Sequence, residues 1–399
     1  MHATETKTAG TTAHHTSAAL AEADRLMTVC NSCRYCEGLC AVFPAMETRR
    51  SFADGDLNYL ANLCHSCGAC YYDCQFSPPH PFAVNVPKVL AQVRNESYAQ
   101  YAWPRALAPA FARNGVTIAA VAALSVAAFL FGFMLRNDPA TLFSTQTGEG
   151  AFYRLMPHNA VALVFSAVFL YAIVALGMGL RAFWRDIGEA RETLQVPAYN
   201  AQASRDALSL RYLDGGGAGC MNVDEKPAKD RRRLYHHLTF YGFVLCFAST
   251  STATLYHYLL GREAPYPVWD LPVLLGTLGG IGLVVGSLGL MRAKAERDPT
   301  LREESGRGME QAFTLMLLAL SVTGLALLVF RATPAMGTLL AIHLGAVFGF
   351  FITMPYGKFV HGLYRYAALV RSAKERKSLH GPSPSAARAL AKTSPKAAA

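Results

Sequence analysis

Cys30-Asn-Ser-Cys33-Arg-Tyr-Cys36-Glu-Gly-Leu-Cys40 and Cys64-His-Ser-Cys67-Gly-Ala-Cys70-Tyr-Tyr-Asp-Cys74 repeat one spacing, C-x2-C-x2-C-x3-C. In such a run three closely spaced thiolates cap three irons of one cubane, and the fourth reaches a neighbouring cubane. The spacing therefore predicts two [4Fe–4S] clusters with crossed ligands. Cys30, Cys33, Cys36 and Cys74 hold one; Cys64, Cys67, Cys70 and Cys40 hold the other. Structural zinc sites usually pair two C-x2-C knuckles, and three cysteines at this spacing with a fourth behind them do not fit that pattern.

Outward from these motifs the composition changes character. Only 16% of the 399 residues are charged and 52% are hydrophobic, whereas a soluble domain carries about 25% charged residues. Eight of the ten cysteines lie between Cys30 and Cys74. Residues 1–24 are polar and rich in Ala and Thr, with no apolar core of a secretory signal, so the cysteines are expected as reduced thiolates on the cytoplasmic side.

Six apolar runs follow: Val116–Leu135, Ala160–Leu180, His237–Leu260, Leu271–Met291, Ala312–Phe330 and Leu339–Val360. Each has about the 20 residues needed to cross a hydrocarbon core of about 30 Å. None contains Asp, Glu or Arg, and Lys358 lies near an end, where it can snorkel. Packing six such runs inside a soluble protein would need a polar shell that this chain does not have. The connections 136–159, 261–270 and 331–338 hold four Lys or Arg; 181–235, 292–311 and 361–399 hold 23. That asymmetry places both termini and the cysteine domain in the cytoplasm. It also accounts for the net charge of +10 without any nucleic acid.

The expected fold is all-α. A flexible tail (1–24) precedes a double-cluster domain (25–100) with helix-compatible pieces at Asp56–Leu63 and Asn85–Tyr98. A six-span bundle (101–370, with the loop 181–235) and a basic, disordered tail (371–399) follow. Bacterial ferredoxins place Pro directly after the last cysteine of the run; here the prolines come later, at Pro44 and Pro78. That departure favours the helical ferredoxin type of membrane dehydrogenase subunits over the small β-hairpin type. Of the two remaining cysteines, Cys246 is expected to pack within the third span, and for Cys220, in Gly215–Cys220, a docking or cluster contact is only the lesser alternative.

Ionisable residues in a bilayer are costly and point to function. On the sixth span, His343 and His361 share one face about 27 Å apart. On the third span His236, with His237 as substitute, shares a face with His257. The antiparallel course of the two spans pairs His257 with His343 near the outer side and His236 with His361 near the cytoplasm. Two such pairs suit two bis-histidine b-type haems. His158, after Pro157, is expected to be interfacial and unpaired. The glycines of the fourth span, from Gly276 to Gly289, favour close helix packing over a transport path.

Gly215–Cys220, Arg231-Arg-Arg-Leu-Tyr-His236-His237-Leu-Thr-Phe-Tyr-Gly242 and Met354-Pro-Tyr-Gly-Lys-Phe-Val-His361-Gly-Leu-Tyr-Arg365, together with the twin cysteine motifs, resemble the tricarballylate (citrate) utilisation membrane iron–sulfur proteins. The likeness covers nearly all of residues 25–370. The end of the sixth span is also similar to the haem-bearing gamma subunit of respiratory nitrate reductases. The resemblance implies a bacterial inner-membrane protein that reoxidises a partner FAD-dependent tricarballylate dehydrogenase and passes the electrons to the quinone pool. The sequence does not locate the quinone site; Tyr356, Lys358 and Arg365, near the inner histidine pair, are candidates for it. Two readings compete: the cytochrome arm of a nitrate or heterodisulfide reductase-like complex, and a membrane redox sensor.

Overall fold

The computed structural model of the protein describes residues 14–213 and 231–379. Among these residues every regular element is a helix. The cysteine region forms α1 (Ala18–Cys33), α2 (Val42–Glu47), α3 (Asp54–Leu63), α4 (Ala69–Tyr72) and α5 (Val86–Gln100). The expected flexible tail ends sooner than its composition suggested. The Ser17 side chain caps the amide of Leu20 and starts α1 there, and Ala19, Leu20 and Ala23 are buried. At the other end of α1, Arg34 adopts a left-handed conformation and closes the helix on the Cys30 carbonyl. Asn85 caps α5 through the Lys88 amide, with Pro87 in its first turn.

Beyond this domain come α6 (Asn114–Arg136), the short α7 (Pro139–Leu142) and α8 (Ala151–Leu155), α9 (His158–Asp186), α10 (Pro197–Leu208), α11 (Arg232–Leu260), α12 (Leu271–Ala295), α13 (Arg307–Phe330), α14 (Met336–Thr353) and α15 (Val360–Leu379). Six segments are long and apolar enough to cross a membrane: α6, α9, α11, α12, α13 and Met336–Tyr356. The chain is thus a six-helix, multi-pass membrane protein with a helical cluster domain in front.

Close helix packing comes from glycine, as expected. A Cβ on Gly242 would come 2.8 Å from the Gly279 carbonyl oxygen, and one on Gly279 would come 2.8 Å from the Cys246 Sγ. So α11 and α12 touch backbone to backbone there, and Cys246 is a packing residue. Gly345 and Gly349 seat α14 on α6 at Val126 and Ala122 in the same way. In contrast, α11 meets α9 and α14 through aromatic rings, Phe247 on Phe169 and Phe243 on Phe350.

Two expectations about the C-terminal part are corrected. The sixth span is not one helix reaching Val360. It stops at Thr353, passes through a tight turn, Met354–Tyr356, and restarts at Val360. Pro355 has no amide hydrogen to continue the ladder, and Gly357 is fully extended there. The constant angular step that put His343 and His361 on one face therefore fails. Likewise, residues 371–379 of the expected disordered tail continue α15.

They are held there by the cluster domain. Tyr59 lies between the guanidiniums of Arg371 (4.3 Å) and Arg49 (5.0 Å) and donates to Glu375 at 2.9 Å. Arg49 also pairs with Glu375 at 2.6 Å and Asp56 at 2.7 Å. This clamp fixes the cluster domain to the helix whose first turn carries His361.

Gly55 makes a second seat. A Cβ there would stand 2.1 Å from the Asp186 carbonyl oxygen at the end of α9. Gly55→Ala is expected to cost about 1–3 kcal/mol, because backbone must move on both sides. Thermal unfolding followed by cluster bleaching should shift to lower temperature; an unchanged midpoint would show that the two domains are not seated through this contact.

Candidate functional site

The eight motif cysteines converge from four helix ends. Cys30 and Cys33 sit on the last turn of α1, Cys64 caps α3, Cys70 is on α4 and Cys74 follows it. They line two adjoining cavities. One is bordered by Cys30, Cys33, Cys36, Cys74 and Cys70. The other is bordered by Cys40, Cys64, Cys67 and again Cys70. The division follows the crossed pattern expected from the spacing, with Cys70 in the shared wall.

Burial and mutual repulsion push the Cys30 thiol up to about 12, its neighbours being Cys36, Cys74 and Cys33. Cys40 is pushed up by burial, then by Cys67 and Cys64. Thiols crowded in this way are released as thiolates when a cationic metal core binds them. Among the described residues no three His, Cys, Asp or Glu side chains converge as ligands of a single ion do. Cysteines grouped around two adjoining cavities are the donor set that two cubanes take, each thiolate binding a separate iron.

The membrane histidines fall differently from the expected two pairs. His236 and His361 are together, with ring centroids 6.3 Å apart and planes at 73°. Two imidazoles on opposite sides of one iron, each bound at about 2.0 Å, need a centroid separation of about 6 Å. The His361 Nδ1 lies 2.5 Å from the Lys358 carbonyl oxygen, which fixes the ring and leaves Nε2 to bind. Burial, then Arg365 and Lys358, hold His361 well below its usual range, so it is the neutral ligand form. The His236 Nδ1 is buried without a partner among the described residues. His237 points elsewhere, its Nε2 3.2 Å from the Leu208 carbonyl oxygen and its ring beside Tyr241. Of the two candidates on α11, His236 is the one that faces His361.

The outer pairing is corrected. His257 stacks on His158, centroids 3.5 Å apart and planes within 18°, with Tyr153 and Tyr258 at their edges. His158 is therefore partnered rather than alone. His343 instead packs on α13, its Nδ1 2.9 Å from the Thr323 Oγ1 and its ring against Gly324. Among the described residues no ring contact joins His257 to His343. The reason is depth: His257 is in the last turn of α11, while His343 lies two turns into α14. Cys220 lies outside the described residues.

Sequence reasoning missed the connection between the two sites. Four arginines from four separate elements meet on Cys64-His65-Ser66. Arg94 donates to the Cys64 carbonyl oxygen at 2.9 Å and to the Ser66 Oγ at 3.1 Å. Arg365 donates to the Cys64 carbonyl oxygen at 2.8 Å. Arg232 reaches the His65 and Ser66 carbonyl oxygens, each at 3.2 Å, and Arg297 that of Ser66 at 3.0 Å. Arg232 precedes His236 by four residues and Arg365 follows His361 by four, each one helical turn away. That i, i+4 relation is the only trace the sequence carries.

The expected quinone residues are also engaged. The Tyr356 hydroxyl lies 2.5 Å from that of Tyr171 and donates to the Trp103 carbonyl oxygen. Lys358 pairs with Glu310 at 2.9 Å, and Lys294 pairs with the same carboxylate.

Comparison with known proteins accounts for most of the chain. Residues 108–381 match the family model described as "Citrate utilization protein B", and residues 23–100 match its "Fer4-like domain". An Escherichia coli protein described as "Citrate utilization protein B" is 49% identical over 358 residues, 90% of this chain and 93% of the relative. No solved structure matches. With both its cysteine domain and its membrane bundle matched, the chain belongs to the citrate utilization protein B family and carries that family's Fer4-like iron–sulfur domain.

Proposed function

We propose that this protein carries electrons from a reduced FAD-dependent dehydrogenase of a citrate-like tricarboxylate, such as tricarballylate, to the membrane quinone. Cys30/Cys33/Cys36/Cys74 and Cys40/Cys64/Cys67/Cys70 would hold two [4Fe–4S] clusters, and His236 with His361 would hold a b-type haem; when bound, these groups would supply one-electron stations. The observation that carries this reading is the bridge at Arg365. Its guanidinium holds the backbone of the cluster ligand Cys64, while its own helix presents His361 one turn away. A flavin releases two electrons and each cluster takes one, so a relay with several one-electron stations suits the task. The cluster domain lies in the cytoplasm of a bacterium and the bundle in its inner membrane, in keeping with the 23 to four division of Lys and Arg. The relative's name supports a tricarboxylate at the start of the path.

Rapid mixing tests the order. When the reduced flavoprotein is added, the cluster absorbance should bleach first, the haem bands appear second, and an added quinone should then reoxidise both. Haem reduction ahead of the clusters, or no reduction by any flavoprotein, would overturn the reading.

A further inference from the structure

The four arginines around Cys64-His65-Ser66 have a consequence for how the electrons are graded. Building on the two-cluster reading, we infer that this cage raises the reduction potential of the cluster on Cys40, Cys64, Cys67 and Cys70 above that of its neighbour. The membrane-side cluster is thereby the electron sink of the pair.

The potential of an iron–sulfur cluster depends on net charge, hydrogen bonds to sulfur and exposure to solvent. Charge separates the two sites most. Arg94, Arg232, Arg297 and Arg365 all contact the loop that supplies Cys64, whereas the other cavity has Asp73 beside Cys36. The guanidinium of arginine keeps its charge in proteins, so each of the four brings a positive charge to this loop. Of the acids that act on Arg297, Glu310 is already held by Lys294 and Lys358, and Asp298 accepts from Tyr72 and Thr300.

Hydrogen bonds act in the same direction. The Ser66 amide donates to the Cys64 Sγ at 3.3 Å and the Val42 amide to the Cys40 Sγ at 3.4 Å. Ser66 reaches that position in a left-handed conformation, φ +49°, and the arginines on its carbonyl and side-chain oxygens hold it there. Among the described residues no comparable amide–sulfur bond is made to Cys30, Cys33, Cys36 or Cys74.

Exposure opposes this. Cys64 and Cys67 are buried, and the four ligands of the other cluster are half-buried beside the exposed Tyr35. Water favours the more highly charged reduced state. The charge effect prevails. At an effective dielectric of about 20, one unit charge about 8 Å away shifts an equilibrium by more than tenfold, and here there are four.

The test is a potentiometric titration of the purified full-length protein followed by electron paramagnetic resonance. Two [4Fe–4S] signals should titrate at separate midpoints, and Cys67→Ser should remove the one at higher potential. Arg365→Gln and Arg297→Gln should each lower that higher midpoint by at least a tenfold change in the reduction equilibrium, about 59 mV for one electron. The lower midpoint should stay in place. Arg365→Lys should recover most of the shift, and Arg25→Gln, on α1 and paired with Glu22, should move neither midpoint. Iron content and the haem spectrum report whether each variant is folded; should Arg365→Gln not assemble, Arg297→Gln and Arg94→Gln carry the same test. Coincident midpoints, or equal shifts of both signals, would overturn the inference and leave the relay standing. No cluster signal in the unaltered protein would overturn both.

Discussion

His361→Ala is expected to abolish the dithionite-reduced b-type haem bands while about eight non-haem irons per chain remain, the number two [4Fe–4S] clusters require. His361 and His236 have ring centroids 6.3 Å apart, and in the proposed site these two residues would hold the haem. Losing an outer-shell partner of a metal ligand already costs about 10–100-fold in affinity; losing the ligand itself costs more. His236→Ala should give the same loss. His237→Ala should not, because that ring is turned to Leu208 and Tyr241. A haem that survives in both His361→Ala and His236→Ala, but disappears in His257→Ala or His343→Ala, would move the site to the outer half of the bundle.

Cys33→Ser and Cys67→Ser are expected to cut the path at different points. A serine hydroxyl does not replace the thiolate that binds iron, so each variant should fall from about eight irons to about four. In Cys33→Ser the reduced flavoprotein should no longer bleach the remaining cluster, although dithionite still does. In Cys67→Ser the flavoprotein should reduce the remaining cluster while the haem stays oxidised. Quinone reduction should fall to the uncatalysed background in both. If Cys67→Ser blocked entry of electrons and Cys33→Ser blocked only their exit, the order of the clusters would be reversed.

Much of the candidate site was legible because its signals are local. Cysteines two and three residues apart can share a cubane only if the backbone turns tightly between them, so the spacing carries the chemistry. Six long stretches almost without charge suit the interior of a bilayer, and their lengths state how far they reach. The glycines of α12 were readable for the same reason, since a missing side chain invites a neighbouring backbone.

The histidines mark where that legibility ends. Their assignment assumed that the sixth span keeps one helical step from His343 to His361, and Pro355 with Gly357 interrupts it. A second assumption, that residues at similar distances from helix ends meet, failed where α11 lies beside α9, so that His257 found His158. Both errors concern contacts between segments far apart in the chain, which no local pattern encodes.

By itself the sequence determined the class of cofactor donors, the number of membrane crossings and the family, all consequences of spacing and of the cost of charge in lipid. The tertiary structure decided which histidine faces which, that α15 clamps the cluster domain, and that four arginines from distant segments surround one cluster loop. Those outcomes depend on how helices choose neighbours, and that choice belongs to the packing of the whole chain.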